Sequence, residues 1–132
     1  MRKKSADILF LEKELEALKP SGPTLAQAAL TLILLERSLR VAVGVRAEGK
    51  TLRTLLLQAT DSRSGFLQFQ GSNTALFSLS DFRNVILHGD FEEGARLSGS
   101  ASVEVYVQER LPALLNEMHV TARGLLDQLN AL

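Results

Sequence analysis

Apolar residues recur at three- and four-residue steps along most of this chain, the period of helices that bury one face. Residues 5–19 put Ile8, Leu11, Leu15 and Leu18 on one side and Glu12, Lys13, Glu14, Glu16 and Lys19 on the other, with Ser5 placed to cap the start. The cluster Pro20-Ser21-Gly22-Pro23 ends that helix and sets Pro23 near the first turn of the next. From Thr24 to about Arg46 the stripe Leu25, Ala28, Leu32, Leu35, Leu39, Ala42 and Val43 is unbroken, and Ala26, Ala29 and Ile33 widen it. So wide a stripe predicts a central helix with neighbours on more than one side. Gly49 closes the segment, and Thr51 caps a short helix over residues 51–60 that buries Leu52, Leu55, Leu56 and Ala59.

Turn formers dominate residues 61–74, so this stretch reads as a loop pinned by Phe66, Leu67 and Phe69. A further helix is expected to start between Thr74 and Ser80, capped by Ser78 or Ser80, and to stop at Gly89. Residues 89–102, with Gly94, Gly99, Ser98, Ser100 and Ser102, read as a small polar mobile loop. Residues 101–108 alternate as a strand would, yet Val103, Val107, Leu111, Leu114 and Leu115 also fit a helix, and helix is the expectation. Pro112 then marks a kink or a new first turn, after which Leu115, Met118, Ala122, Leu125, Leu126 and Leu129 continue to the C-terminus. The pattern predicts an all-α bundle of four to five helices, the first two long ones antiparallel across their short connection.

Composition changes this picture little. A length of 132 residues suits one domain with a single core, and 45% hydrophobic with 23% charged residues suits a soluble globular protein. Lys plus Arg equals Asp plus Glu at 15 each, which argues against non-specific coating of nucleic acid but leaves room for a local phosphate site. The absence of cysteine removes disulfides and thiolate metal sites and fits a reducing cytoplasm. The N-terminal run is too charged for a signal peptide, and no apolar run approaches the roughly 20 residues of a membrane span, so no membrane association is expected.

Candidate chemistry concentrates in Asp81-Phe82-Arg83-Asn84-Val85-Ile86-Leu87-His88-Gly89. In a helix, Phe82, Val85 and Ile86 face one way while Asn84 and His88 stack one turn apart on another face, with Arg83 on the flank. The two histidines, His88 and His119, lack ligand-spaced partners, so no metal or other cofactor is expected. No glycine-rich phosphate loop and no nucleophile elbow is present. His119 reads as structural or exposed.

The run from Arg83 to Gly89 resembles the signature of the HEPN superfamily, in which an Arg is followed after four to six residues by His, often with Asn directly after the Arg. The four-residue spacing, Asn84 and Gly89 all match. HEPN domains are small helical bundles of about this length, with the motif late in the chain at a helix end. Many are metal-independent endoribonucleases serving as toxins, antiviral effectors or RNA-processing factors; others are inactive binding modules.

Cleaving RNA without a metal requires deprotonating the 2′-hydroxyl, protonating the departing 5′-oxygen and stabilising charge on phosphorus. The products are a 2′,3′-cyclic phosphate and a 5′-hydroxyl. Arg83 suits the phosphate, and His88 suits proton transfer near neutrality. A single histidine cannot be base and acid at once, so the expected arrangement is a homodimer that brings two motifs to one groove, as the resemblance also implies. Asn84 would orient the imidazole or bond the phosphate. Glu36 reads first as an exposed surface glutamate, with bonding to Arg83 or His88 as the alternative; Asp81 reads as a first-turn residue favoured by the helix dipole. Arg37, Arg40, Arg46, Lys50, Arg53 and Arg63 make the middle of the chain basic, either tracking RNA or forming a solvated face. The leading expectation is an RNA-cleaving dimer; the second is a catalytically silent module that binds a nucleotide or a protein partner such as an antitoxin or a larger effector.

Overall fold

A computed structural model describes residues 4–18, 24–61, 65–69 and 73–132, and every regular element among them is helical. The order is α1 (Ala6–Leu18), α2 (Leu25–Val43) running into a 3-10 turn (Gly44–Ala47), α3 (Leu52–Thr60), α4 (Asn73–His88), α5 (Phe91–Ser98) and α6. The last is a continuous rod made of an α-turn Val103–Val105, a π-helical stretch Tyr106–Arg110 and an α-helix Leu111–Asn130. Six helices therefore stand among the described residues where four to five were expected, and α5 is the addition. None of them is long and apolar enough to cross a membrane.

The long helix α2 is central, packing against α1, α3, α4 and α6. Leu32, Leu35 and Leu39 of α2, Leu55 and Leu56 of α3, Leu76 and Leu79 of α4, and Leu125 and Leu126 of α6 are all at most 2% exposed. With neighbours on several sides, burial spreads beyond the expected stripe. Leu25 is 43% exposed, while Leu34, Gln27, Thr31 and Ser38 are buried. Thr31 offsets its burial by donating to the Gln27 carbonyl at 2.8 Å.

Asp7 near the start of α1 pairs with Arg37 in the second half of α2, whereas Glu16 and Gln27 line one cavity, so α1 and α2 run antiparallel. The Pro20–Pro23 breaker between them lies outside the described residues. The Ser5 hydroxyl does not cap α1; it donates to the Asp7 carboxylate, which also accepts the Ile8 N–H. At the next two starts, Thr24 accepts from Gln27 N at 3.2 Å and Thr51 accepts from Thr54 N at 3.3 Å. α2 ends at Gly44, whose φ of 76° suits glycine, and not at Arg46.

After α3, Leu67 is the buried pin of the loop, with Phe66 and Phe69 half-buried beside it. Leu67 N–H returns to the Ala59 carbonyl at 2.8 Å. The Gln128 amide accepts from Gln68 N at 2.6 Å and donates to Gln68 O at 2.7 Å, acting as a one-residue strand partner.

α4 begins at Asn73, so Ser78 and Ser80 lie inside it and do not cap it. It closes where expected: Gly89 adopts φ 65° and the Asp90 N–H reaches back to the Val85 carbonyl at 3.2 Å. The segment expected to be a mobile loop holds α5. Asp90 accepts from Glu93 N at 3.2 Å, Glu92 and Glu93 occupy the first turn, and Gly99 ends the helix at φ 71°. In α6 it is Tyr106, 1% exposed, that faces the core, while Val103 and Val107 are 37% and 39% exposed. The π stretch is the reason. Leu111 N–H donates to the Tyr106 carbonyl five residues back, and Pro112 at the start of the following α-helix has no N–H to give Gln108.

Candidate functional site

α4 buries Phe82, Val85 and Ile86 against the core, which leaves Asn84 and His88 on its outer face and Arg83 at the seam with α2. Arg83 is held from two directions. Its Nη2 donates to Oε2 of Glu36 at 2.9 Å, and its Nη1 donates to Oδ1 of Asn84 at 2.9 Å. Glu36 is not an exposed surface residue: its side chain is only 14% exposed, and its other oxygen accepts from Arg40 Nη2 at 3.2 Å. One carboxylate thus sits between two guanidinium groups; both terminal nitrogens of Arg83 are engaged, while its buried Nε has no hydrogen-bond partner.

Arg40 anchors this cluster and was foreshadowed in the sequence only by its four-residue spacing from Glu36. It donates to the Ala47 carbonyl at 3.1 Å and to the Lys50 carbonyl at 2.7 Å, tying the turn after α2 to the same network. Asp81 is not a first-turn residue, because α4 starts two turns earlier; it pairs with Arg53 of α3 at 3.0 Å. The Arg53 guanidinium also stacks 4.5 Å from the centroid of Phe77.

His88, in the last turn of α4, is exposed and lines a cleft of about 150 Å³ with Asp81, Asn84, Val85, Asp90, Glu93 and Leu97. Asn84 is the link: its Oδ1 takes Arg83, and the same residue shares the cleft with His88. The carboxylates around the imidazole have donors of their own. Asp81 has Arg53, Asp90 caps α5, and Glu93 has Arg96. The hydrogen bond from Arg96 holds the Glu93 carboxyl below its ordinary range.

Measured against known proteins, this chain matches no family model, no curated protein and no solved structure at a significant level. The structure brings Glu36, Arg83 and Asn84 into one hydrogen-bonded unit and sets His88 beside it.

Three of the six basic residues in the middle of the chain are paired with carboxylates: Arg37 with Asp7, Arg40 with Glu36 and Arg53 with Asp81. Lys50 is exposed, and the side chain of Arg46 and residue Arg63 lie outside the described residues. His119 is half-buried on α6, away from this cluster. Among the described residues no three His, Cys, Asp or Glu side chains converge to hold a metal ion.

Because Glu36 holds two arginines in a mostly buried position, Glu36→Gln is expected to lower the unfolding free energy by about 1–2 kcal/mol, since a neutral amide cannot satisfy both forks. Urea denaturation of the two proteins measures this. A difference below about 0.5 kcal/mol would show that the two arginines find other partners.

Proposed function

We propose that this chain is a metal-independent endoribonuclease of the HEPN type, working as a homodimer in which Arg83 and His88 of each copy form half of a shared site. The observation that carries the reading is Asn84, which accepts from Arg83 and opens onto the same cleft as His88. In this reaction one His88 takes the proton of the 2′-hydroxyl as that oxygen bonds to phosphorus. The second His88 gives a proton to the 5′-oxygen as its bond to phosphorus breaks, leaving a 2′,3′-cyclic phosphate and a 5′-hydroxyl. Arg83, already oriented by Glu36 and Asn84, meets the phosphorane charge without first having to order its side chain. A toxin, antiviral or RNA-processing role in the cytoplasm would suit this activity.

Incubation of the purified chain with mixed RNAs in excess chelator tests the reading, with His88→Ala and Arg83→Ala as comparisons. Cleavage lost in both variants, by a protein that sediments as a dimer, supports it. Equal cleavage by all three proteins, or an active monomer, ends it.

One observation favours a second reading, a non-catalytic helical module that binds a nucleotide or a protein partner such as an antitoxin or a larger effector. Both terminal nitrogens of Arg83 are already engaged within the chain, as in a purely structural ion pair. Partner binding that survives His88→Ala, with no RNA cleavage in any protein, would select this reading.

A further inference from the structure

Between α4, α5 and α6 lies a cavity of about 170 Å³, next to the cleft that His88 lines: Asp81, Val85 and Leu97 are walls of both. Phe82, Val85, Leu97, Leu114 and Met118 give it apolar sides. It is smaller than the roughly 300–1,000 Å³ of pockets that enclose drug-sized ligands, and suits one planar ring system. Tyr106, only 1% exposed, is an inner wall, and Arg110, exposed, stands at the mouth. These two residues are the ends of the π-helical stretch, a rare geometry that recurs at functional sites.

Its polar groups keep capacity for a ligand. Arg110 has no ion-pair partner among the described residues, unlike Arg37, Arg40 and Arg53. Asp81 gives Oδ1 to Arg53, and its Oδ2 has no partner among the described residues. An added Cβ at Gly94, another wall, would lie 2.8 Å from the Tyr106 hydroxyl, which sets that hydroxyl at the edge of the cavity. Burial, against the pull of the Arg110 charge, holds the phenol above its ordinary pKa, so the hydroxyl keeps its proton at neutral pH. Arginine only donates and an ionised carboxylate only accepts, so Arg110 on α6 and Asp81 on α4 ask opposite things of an occupant. A simple anion would meet Asp81 and a simple cation would meet Arg110, whereas the apolar sides favour a flat, neutral ring. Among the RNA bases, guanine turns two adjacent acceptors, O6 and N7, toward a guanidinium fork and two adjacent donors, N1–H and N2–H, toward a carboxylate. Adenine would point its N6 donor at the fork, and the pyrimidines have no N7.

We propose that this cavity holds a guanine base of the RNA, that of a nucleotide flanking the cleaved bond, with Arg110 on O6 and N7 and Asp81 on N1–H and N2–H. The placement beside the cleaved bond rests on the nuclease reading; the base site itself does not.

Tyr106 is the only tyrosine of the chain, so its ring resonances, followed by NMR in protein carrying ring-labelled tyrosine, report on this cavity. Guanosine 5′-monophosphate, which has no internucleotide bond to cleave, is expected to shift them saturably with a half-point near about 1 mM. The adenosine, cytidine and uridine monophosphates should need at least about tenfold more, and ribose 5-phosphate should leave the resonances in place. Arg110→Gln changes an exposed side chain, so it should fold as the parent does and weaken the guanine response by about tenfold or more. In RNA digests by the parent, guanine should be enriched at one fixed position beside the cut, and Arg110→Gln should keep cutting while losing that preference. Equal shifts with all four nucleotides, none with the guanine nucleotide up to about 10 mM, or an equal shift with ribose 5-phosphate, overturn the base site whether or not RNA is cut. Guanine-selective binding without any RNA cleavage keeps the base site and ends the nuclease reading. Guanine-selective binding with cleavage that ignores guanine overturns the placement beside the cleaved bond.

Discussion

His88→Ala is expected to fold normally and to lose RNA cleavage by about 100- to 10,000-fold, the usual range for removing a general acid or base. The side chain is exposed at the end of α4 and supports no packing, so the melting temperature should stay within about 2 °C of the parent. Arg83→Ala behaves differently. It removes one of two cations from a carboxylate that is mostly buried, so it should cost stability as well as activity, and Arg83→Lys should keep charge while losing the fork that engages Glu36 and Asn84 together. The shared site makes a further demand. If a productive groove needs a His88 from each copy, adding His88→Ala subunits to the parent and allowing exchange should lower cleavage as the square of the parent fraction. A linear fall, measured by initial rates on a labelled RNA, would mean that each copy works alone.

How legible this was from sequence depends on whether a residue's partner lies nearby in the chain. Helical period and caps are local, so the α2 stripe, the Thr51 cap and the stop at Gly89 could be placed from neighbouring residues alone. Glu36 and Arg83 are 47 positions apart, and nothing local distinguishes a glutamate that will bridge two arginines from one left in water. For the same reason the sequence left the basic middle of the chain open between an RNA track and a solvated face, since Asp7 and Asp81, which pair with Arg37 and Arg53, come from other helices. α5 was missed through weight given to the wrong signal. Gly and Ser suggested a loop, although Asp90 and Glu93 stand at capping-box spacing and Gly99 lies just past the end. Val103 and Val107 were read on the apolar face that Tyr106 occupies, because the π stretch changes the number of residues per turn and periodicity reading assumes that number is constant.

Gly94→Ala should lower stability by about 2–3 kcal/mol, against the direction that helix propensity alone predicts. In an exposed helix the change would stabilise by up to about 1 kcal/mol, because glycine loses more backbone freedom than alanine. Here an added Cβ would lie 2.6 Å from Cε1 and Cζ of Tyr106, a ring only 1% exposed and packed in the core. The clash must outweigh propensity, and the melting temperature should fall by roughly 5–10 °C. Tyr106→Leu gives the discriminating background. With the ring gone, the same Gly94→Ala change should become neutral or stabilising by up to about 1 kcal/mol, a sign reversal that a double-mutant cycle reads directly. Failure of the sign to change would place the cost in α5 itself and not in its packing on α6. The effect should reach the candidate site as well. α5 carries Asp90, Glu93 and Leu97 into the cleft beside His88, so a helix pushed away from Tyr106 shifts three of that cleft's walls, and RNA cleavage should drop along with stability.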